Sequence, residues 1–433
     1  MVKIAKKDMT EICHNIANEL LSKYLFKTIS GKRDDEIYVY IDGVYEKTGK
    51  DVIKTEVEHH LGSLCKTYYV NEVINKIARK SYIKRENLRC KNDDLICVKN
   101  GVLDIKKLKL YEHSPDYNFT NKILVEYNIK SHCPKFLEFL EDCMYENDII
   151  TTQEWFGYCL YRRYPIKKAV ICKGLKNTGK TQWMNILREF LGGNNVANKS
   201  LQRLTEGKWQ IASLYNKYAN VSDELSERAI NDVNIFKELT GDSVVDGEIK
   251  FGDSFSFRNY AKLTFAANKI PYIGVGDDDE AYFERWIIFE FDKKFEDDNP
   301  QTKMEIWRDI TESKEEMSGI LNWVLVGLKR LLEKEKFSDK RKWIEIRDIM
   351  KKENPVYGFV KDCCKEKIGV KISKSNLYEK YKDYCWLTNK SALYEIWKFG
   401  IELKKHCDYL RDSNEMGIAY WKNIEYNVPD ILS

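Results

Sequence analysis

The stretch with the clearest chemical content is Gly174-Leu175-Lys176-Asn177-Thr178-Gly179-Lys180-Thr181, which fits the phosphate-binding pattern G-x-x-x-x-G-K-[ST]. Glycines let backbone N–H groups wrap a polyphosphate, and a helix N-terminus behind the loop adds its positive end. In that arrangement Lys180 reaches the β- and γ-phosphates of ATP, and the Thr181 hydroxyl ligates Mg²⁺. Such a loop needs carboxylates on a neighbouring strand, one to hold the metal and a second to activate water. Asp223 and Glu224, at the end of Tyr218-Ala-Asn-Val-Ser222, lie at a suitable spacing, although Asn220 and Ser222 make that strand unusually polar. An ordinary acidic loop is the competing reading. Asn268 ends the apolar run Leu263-Thr-Phe-Ala-Ala267, where an amide can bind the γ-phosphate or the attacking water, or simply open a turn. Arg285, ahead of Trp286-Ile-Ile-Phe-Glu-Phe291, is either a surface cation or a group that reaches the nucleotide of a neighbouring subunit.

The elements that must position these residues are legible around them. Ala169-Val-Ile-Cys172 supplies a strand before the loop, and Gln182 to Leu191 a helix after it, stopped by Gly192-Gly193. From Lys168 to Phe291 short apolar strands alternate with helices, the pattern of an α/β core. Upstream, residues 8–30 carry apolar positions at helical spacing. The β-rich runs 37–45 and 95–105 flank Asp42-Gly43 and Asn100-Gly101, which predicts two hairpins with helices between them. Helices are expected over 134–163 and 304–332, then a basic run from Lys334 to Lys342. From about 350 the pattern predicts a small helical unit whose last segments, 419–421 and 424–426, form a wing.

Composition sets the outer bounds. The chain has 433 residues, 43% hydrophobic and 32% charged, so it can bury several cores and is too apolar for disorder. A net charge of +4 from 72 Lys+Arg against 68 Asp+Glu neither requires nor excludes nucleic acid. The twelve cysteines form no C-x-x-C pair and read as reduced, buried thiols. No signal-peptide core or 18-residue apolar run is present, so a non-membrane, cytoplasmic protein, or one in the host compartment where a mobile element replicates, is expected.

Taken together, the four segments resemble the superfamily 3 helicases of viruses, phages and plasmids, a branch of the AAA+ ATPases. The likeness leans toward the phage and plasmid primase-helicases and the poxvirus NTPase. It includes the stretch Phe236-Lys-Glu-Leu-Thr-Gly-Asp-Ser-Val-Val-Asp-Gly-Glu-Ile-Lys250, which resembles the family's K-x-L-T-G-x-D in slightly shortened form, and Ala281-Tyr-Phe-Glu-Arg-Trp286, where the family carries a trans-acting arginine. It extends upstream to 100–104 and 113–122 and downstream to 375–385. The resemblance implies an N-terminal α/β domain over 1–130, a helical collar over 131–165 and an AAA+ core over 166–295. A helical segment over 296–345 and a winged-helix-like domain over 350–433 would follow.

It further implies ATP and Mg²⁺ as cofactors, Lys180 on the phosphates, Thr181 and Asp223 at the metal, and Glu224 on the water. Asn268 becomes the γ-phosphate sensor and Arg285 the finger given to the next subunit of a hexameric ring. Single-stranded or forked DNA is the implied partner, and a separate primase or polymerase fits beside it. In such rings a hairpin grips the strand, here Gly247 to Phe257 with Lys250 and Phe251 near its tip; a solvated turn lysine is the bland alternative for Lys250. Lys371 and Lys374, with Lys380 and Lys382 and interleaved tyrosines, read either as DNA contacts of the C-terminal unit or as a solvated basic face. No paired-aspartate strand with a later histidine is present, so primer synthesis by this chain is not expected. An ATP-switched initiator or scaffold that separates no strands is the main alternative, and a DNA-packaging ATPase the third.

Overall fold

The computed structural model describes residues 6–223, 225, 233–248, 254–268, 270, 280–295, 300–352, 354–388, 392 and 395–427. Glu224, Lys250 and Phe251 lie outside them. The chain divides into two compact units. The first holds 1–225, 232–268 and 285–340; the second holds 226–231, 269–284 and 341–433.

The first unit opens with a helix, Lys6–Lys23, that is shorter than its apolar spacing predicts. Phe26–Ile29 leaves the helix and pairs antiparallel with Glu36–Ile41, because the strand-forming Phe-Lys-Thr-Ile buries three of its four residues there. Leu25, counted on the predicted helical face, is half exposed. The first hairpin turns on Asp42 and Gly43, both at positive φ, as the pair predicts. The second turns one residue early. Val98 pairs with Gly101, so Lys99 and Asn100 form the loop and Gly101 begins the return strand. Gly101 has φ 155°, and a Cβ there would sit 2.4 Å from the Tyr111 carbonyl oxygen on the third strand, so both backbone and space explain the glycine.

The centre of this unit is a five-stranded parallel sheet. Helix α1 (Glu146–Leu160) precedes it; strand β1 (Ala169–Gly174) leads into helix α2 (Lys180–Leu191). Strands β2 (Val196–Ala197), β3 (Ala219–Ser222), β4 (Lys262–Ala267) and β5 (Trp286–Phe291) follow, and helix α3 (Lys314–Lys334) closes the unit. The sheet order is β5-β1-β4-β3-β2. Strands β1 and β4 are almost entirely apolar and buried on both faces, as a helix-covered parallel sheet requires. The polar Asn220 of β3 is explained by its pairing: its amide accepts from Lys199 N at 2.8 Å and donates to Lys199 O at 2.9 Å. Its side chain thus continues the ladder past the two-residue β2.

One apolar cluster joins the sheet to the flanking helices through Trp155, Phe156, Trp183, Phe289, Val324 and Leu328, all fully or almost fully buried. Glu154 is fully buried between α1 and α3 and is satisfied by Arg330 Nε at 2.7 Å and by Ser338 N at 2.7 Å. Leaving that carboxylate without Arg330 would strand a buried charge.

In the second unit, helices Trp343–Lys352 and Pro355–Cys363 are followed by strand Cys364–Ser373 and helix Lys374–Leu387. Helix Ile396–His406 and a hairpin of Arg411–Glu415 and Ile418–Tyr426 complete it. The last strand lies between the other two in an antiparallel sheet. Phe359, Leu377, Tyr381, Phe399 and Trp421 fill the core. Asn354 caps its helix by accepting from Val356 N and Tyr357 N.

Among the described residues, no helix is long and apolar enough to cross a membrane.

Candidate nucleotide site

The loop after β1 bends through two left-handed residues, Asn177 (φ 64°) and Gly179 (φ 82°), and then enters α2 at Lys180. Gly179 is doubly required, since a Cβ there would lie 2.8 Å from Cys143 Cβ and 3.1 Å from the Phe295 ring. At the other end of the loop, a Cβ on Gly174 would collide with the Phe291 carbonyl oxygen at 2.3 Å. The loop is tied down by Phe295 N donating to Asn177 O at 2.9 Å and by Thr178 Oγ1 donating to Leu175 O at 3.0 Å. Leu175 and Lys176 stand exposed at its rim, and the Thr181 hydroxyl group belongs to an exposed residue at the start of α2.

Lys180 folds back beneath this loop and is 8% exposed. Its Nζ donates to Gly174 O at 2.6 Å, Ala267 O at 3.3 Å and Asn268 Oδ1 at 2.7 Å. Register explains the meeting: Ala267 of β4 lies opposite Lys173 of β1, so Asn268 emerges beside Gly174. Burial lowers the Lys180 pKa below the ordinary lysine value. An ammonium whose partners among the described residues are carbonyls and an amide, with no carboxylate, gains from an arriving anion.

Asp223 leaves β3 at the same end, since Ser222 lies opposite Phe265 of β4. Its carboxylate is half exposed and paired with Arg188 Nη2 at 2.7 Å; Arg188 also donates to Val221 O at 3.1 Å. Arg188 sits on α2, two turns beyond Lys180, and no sequence signal marked it. A hydroxyl and a carboxylate are hard oxygen donors of the kind that suit Mg²⁺, which keeps most of its waters and takes phosphate oxygens for the rest. Lys180, Asn268 and Asp223 therefore share the carboxyl ends of three adjacent strands, where parallel sheets bind ligands.

Arg285 is elsewhere. Its carbonyl accepts from Ala169 N at 2.6 Å, which fixes it at the amino end of the sheet. Five residue steps of β1 separate that end from Gly174, roughly 16 Å along the strand. Asp242, at the end of the Lys237–Asp242 segment, accepts from Arg163 Nη2 at 2.6 Å and lies 3.6 Å from Arg258, a structural junction. The predicted DNA hairpin is present as a stem, Val244–Glu248 paired with Ser254–Arg258, and its tip lies outside the described residues. Lys371 is paired with Glu415, and Lys374 with Asp412 and 4.0 Å above the Trp421 ring. Neither lies on the Ile396–His406 helix. Among the described residues no three His, Cys, Asp or Glu side chains converge to hold a metal.

Comparison with known families matches three separate stretches of the chain. Residues 2–145 match the family described as D5 N terminal like, and residues 351–423 the family described as Poxvirus D5 protein-like. Both ends of the chain thus match families described as D5-like. Between them, residues 172–285 match a family of unknown function, DUF5906, which runs from the last part of β1 to Arg285 and spans every candidate nucleotide-site residue from Gly174 on. No curated protein matches the sequence. Among solved structures, the chain is similar to an apo form of the NrS-1 C-terminal region at 12% identity, covering 94% of this chain and 98% of that one, with a TM-score of 0.46. A second structure of that region gives 13% identity, 95% and 99% coverage and a TM-score of 0.47.

Proposed function

We propose that this chain is an ATP-driven DNA helicase of a viral or mobile-element replication system. In this reading its subunits form a ring, hydrolyse ATP at their interfaces and move along one DNA strand. The observation that carries the reading is the convergence of Lys180, Asn268 and Asp223 on the carboxyl ends of β1, β4 and β3. The D5-like matches on both flanks support a replication role.

The chemistry needed is in-line attack of water on the γ-phosphate, with charge spread over fixed cations and dipoles. Lys180 exchanges its carbonyl partners for phosphate oxygens. Asn268, already hydrogen-bonded to that lysine, orients the γ-phosphate or the water. Thr181 and Asp223 would hold Mg²⁺, whose charge shields the phosphates, once Asp223 is released by Arg188. Glu224 takes the proton of the attacking water. Arg285, at the opposite end of its own sheet, cannot serve its own nucleotide; its distance supports a finger offered to a neighbour. The chain order helix, strand, two helices and hairpin over 355–426 supports a winged helix. Its third helix, Ile396–His406, is then the reading element, in place of the Lys371 and Lys374 segment.

A forked-duplex displacement assay tests the proposal. Lys180→Ala and Glu224→Gln should each abolish unwinding. Normal unwinding by either refutes it, and normal ATPase without unwinding in the unsubstituted chain favours the initiator reading. Mixing Arg285→Ala with Glu224→Gln should restore some turnover at mixed interfaces; no recovery at any ratio removes the trans role.

A further inference from the structure

Away from the nucleotide loop, the first unit holds a cleft of about 430 Å³ between the turn at 84–89, the loop at 118–121 and the base of the 244–258 hairpin. Lys84, Arg85, Arg89, Arg162 and Arg258 line it against two carboxylates, Glu86 and Asp93. These cations are not equally occupied. Arg85 is bidentate to Glu36 at 3.0 and 3.2 Å, and Arg258 lies 3.6 Å from Asp242. Arg89 is exposed and has no hydrogen bond or ion pair to a described residue.

Arg162 is the unusual member. It is 8% exposed, and among the described residues its guanidinium donates to the carbonyls of Cys90, at 3.2 Å, and Asn92, with no hydrogen-bond partner at Nε. Its guanidinium also lies 5.2 Å from the centre of the Phe119 ring, and a buried guanidinium held by carbonyls and a ring, neither of which cancels its charge, favours an anion beside it. The facing wall is aromatic. Phe255 and Phe257 stack at 5.6 Å and 29°, with Tyr215 edge-on at 5.1 and 5.4 Å. Arg85 lies over Phe255 at 4.8 Å, so its ring already pairs with a flat, electron-poor group.

We infer that this cleft binds a phosphorylated nucleoside, its base against Phe255 and Tyr215 and its phosphate among Arg89, Arg162 and Arg258. A purely acidic ligand would use the cations and make no use of the aromatic wall, where Phe255 and Tyr215 already pair with the flat guanidinium of Arg85. A base with its phosphate uses both. The volume suits one nucleotide unit. The unit comes either from a nucleic-acid strand or from a free nucleotide, and the site is separate from the P-loop.

The test uses the full chain carrying Lys180→Ala, which silences the P-loop, without ATP. Anisotropy of a fluorescein-labelled twelve-residue oligothymidylate is measured, with thymidine monophosphate followed by ligand-observed NMR and polyglutamate as competitor. Arg89 is exposed, so Arg89→Glu leaves the core intact; melting curves check this and Phe255→Leu. For a strand site, each variant weakens oligonucleotide binding by about tenfold or more, Arg89→Glu also lowers the salt slope by about one, and the monophosphate shows little binding. For a free-nucleotide site, monophosphate signals are present and vanish in both variants. Unchanged binding of both ligands overturns the inference, as does polyglutamate competing as well as the oligonucleotide. Strand displacement is read separately, so a chain that binds the oligonucleotide here and fails to unwind refutes only the helicase reading.

Discussion

Two lysines mark the opposite ends of the central sheet, and both are buried without a carboxylate partner among the described residues. Lys180 lies at the carboxyl end, donating to two carbonyls and the Asn268 amide. Lys262 begins β4 at the amino end, fully buried, with Nζ donating to the carbonyls of Tyr161, Arg163 (2.8 Å) and Tyr260 (2.9 Å). The Tyr158 and Tyr164 rings lie 4.3 and 5.1 Å from it. The difference is access. Above Lys180 stands a loop with an exposed rim at Leu175 and Lys176; Lys262 is fully buried among main chain and rings. The same side chain is thus open to an anion at one end and enclosed at the other, where it ties the segment after α1 to the sheet.

The largest separation between the two should appear in Lys180→Ala. ATP turnover should fall by about 10²–10³-fold or more, since the strongest fixed cation on the transferring phosphate is gone. The melting temperature should hold or rise, because a partly desolvated ammonium is removed. A collapse in thermal stability with activity per folded molecule intact would invert the comparison.

Lys262→Ala should do the reverse. Three carbonyls lose their donor and a cavity opens among Tyr158, Tyr164 and Cys159, for a cost of about 2–5 kcal/mol in denaturant unfolding. ATP turnover per folded molecule should stay within about twofold of the unsubstituted chain, because the residue lies a strand length from the loop. Loss of turnover in a fully folded variant would connect the two ends of the sheet.

The two lysines also differ in how far sequence alone revealed them. Lys180 sits in an eight-residue pattern whose backbone geometry is local, and the apolar run ending at Asn268 has a visible end, so both were legible. Lys262 reads as an ordinary polar residue ahead of a strand, since its acceptors come from 161, 163 and 260 and only the fold brings them together. The same holds for Arg188 on Asp223, and for the cleft, whose cations come from 84–89, 162 and 258. Where local signals competed, the tertiary partner decided: residues 26–29 left the apolar helical face to pair with Glu36–Ile41. The turn at 99–100 followed the register set by the Lys109–Tyr111 strand in preference to the Asn-Gly pair. Asn220, which looked like a blemish in the acidic strand, is its link to Lys199.

The smallest expected effect is one of pH, and it belongs to the closed lysine. Burial pushes the Lys262 pKa from 10.5 down to about 7. Below about 7 both folded and unfolded chains hold the proton, and the cost of a buried charge is fully present. Between about 7 and 10.5 the unfolded chain is protonated and the folded one is not, so stability rises with pH, by at most about 1.4 kcal/mol per unit from this group. Lys262→Met, which keeps the volume and discards the charge, should lack that rise. The quantity to measure is the difference in unfolding free energy between this variant and the unsubstituted chain from pH 6.5 to 9, a range below the ordinary titration of tyrosine. The difference should change steadily in favour of the unsubstituted chain above pH 7. A difference that stays constant over that range means the ammonium persists in the fold, held by its three carbonyls and two rings, and enclosure by main chain and aromatic faces is then enough to keep a lysine charged.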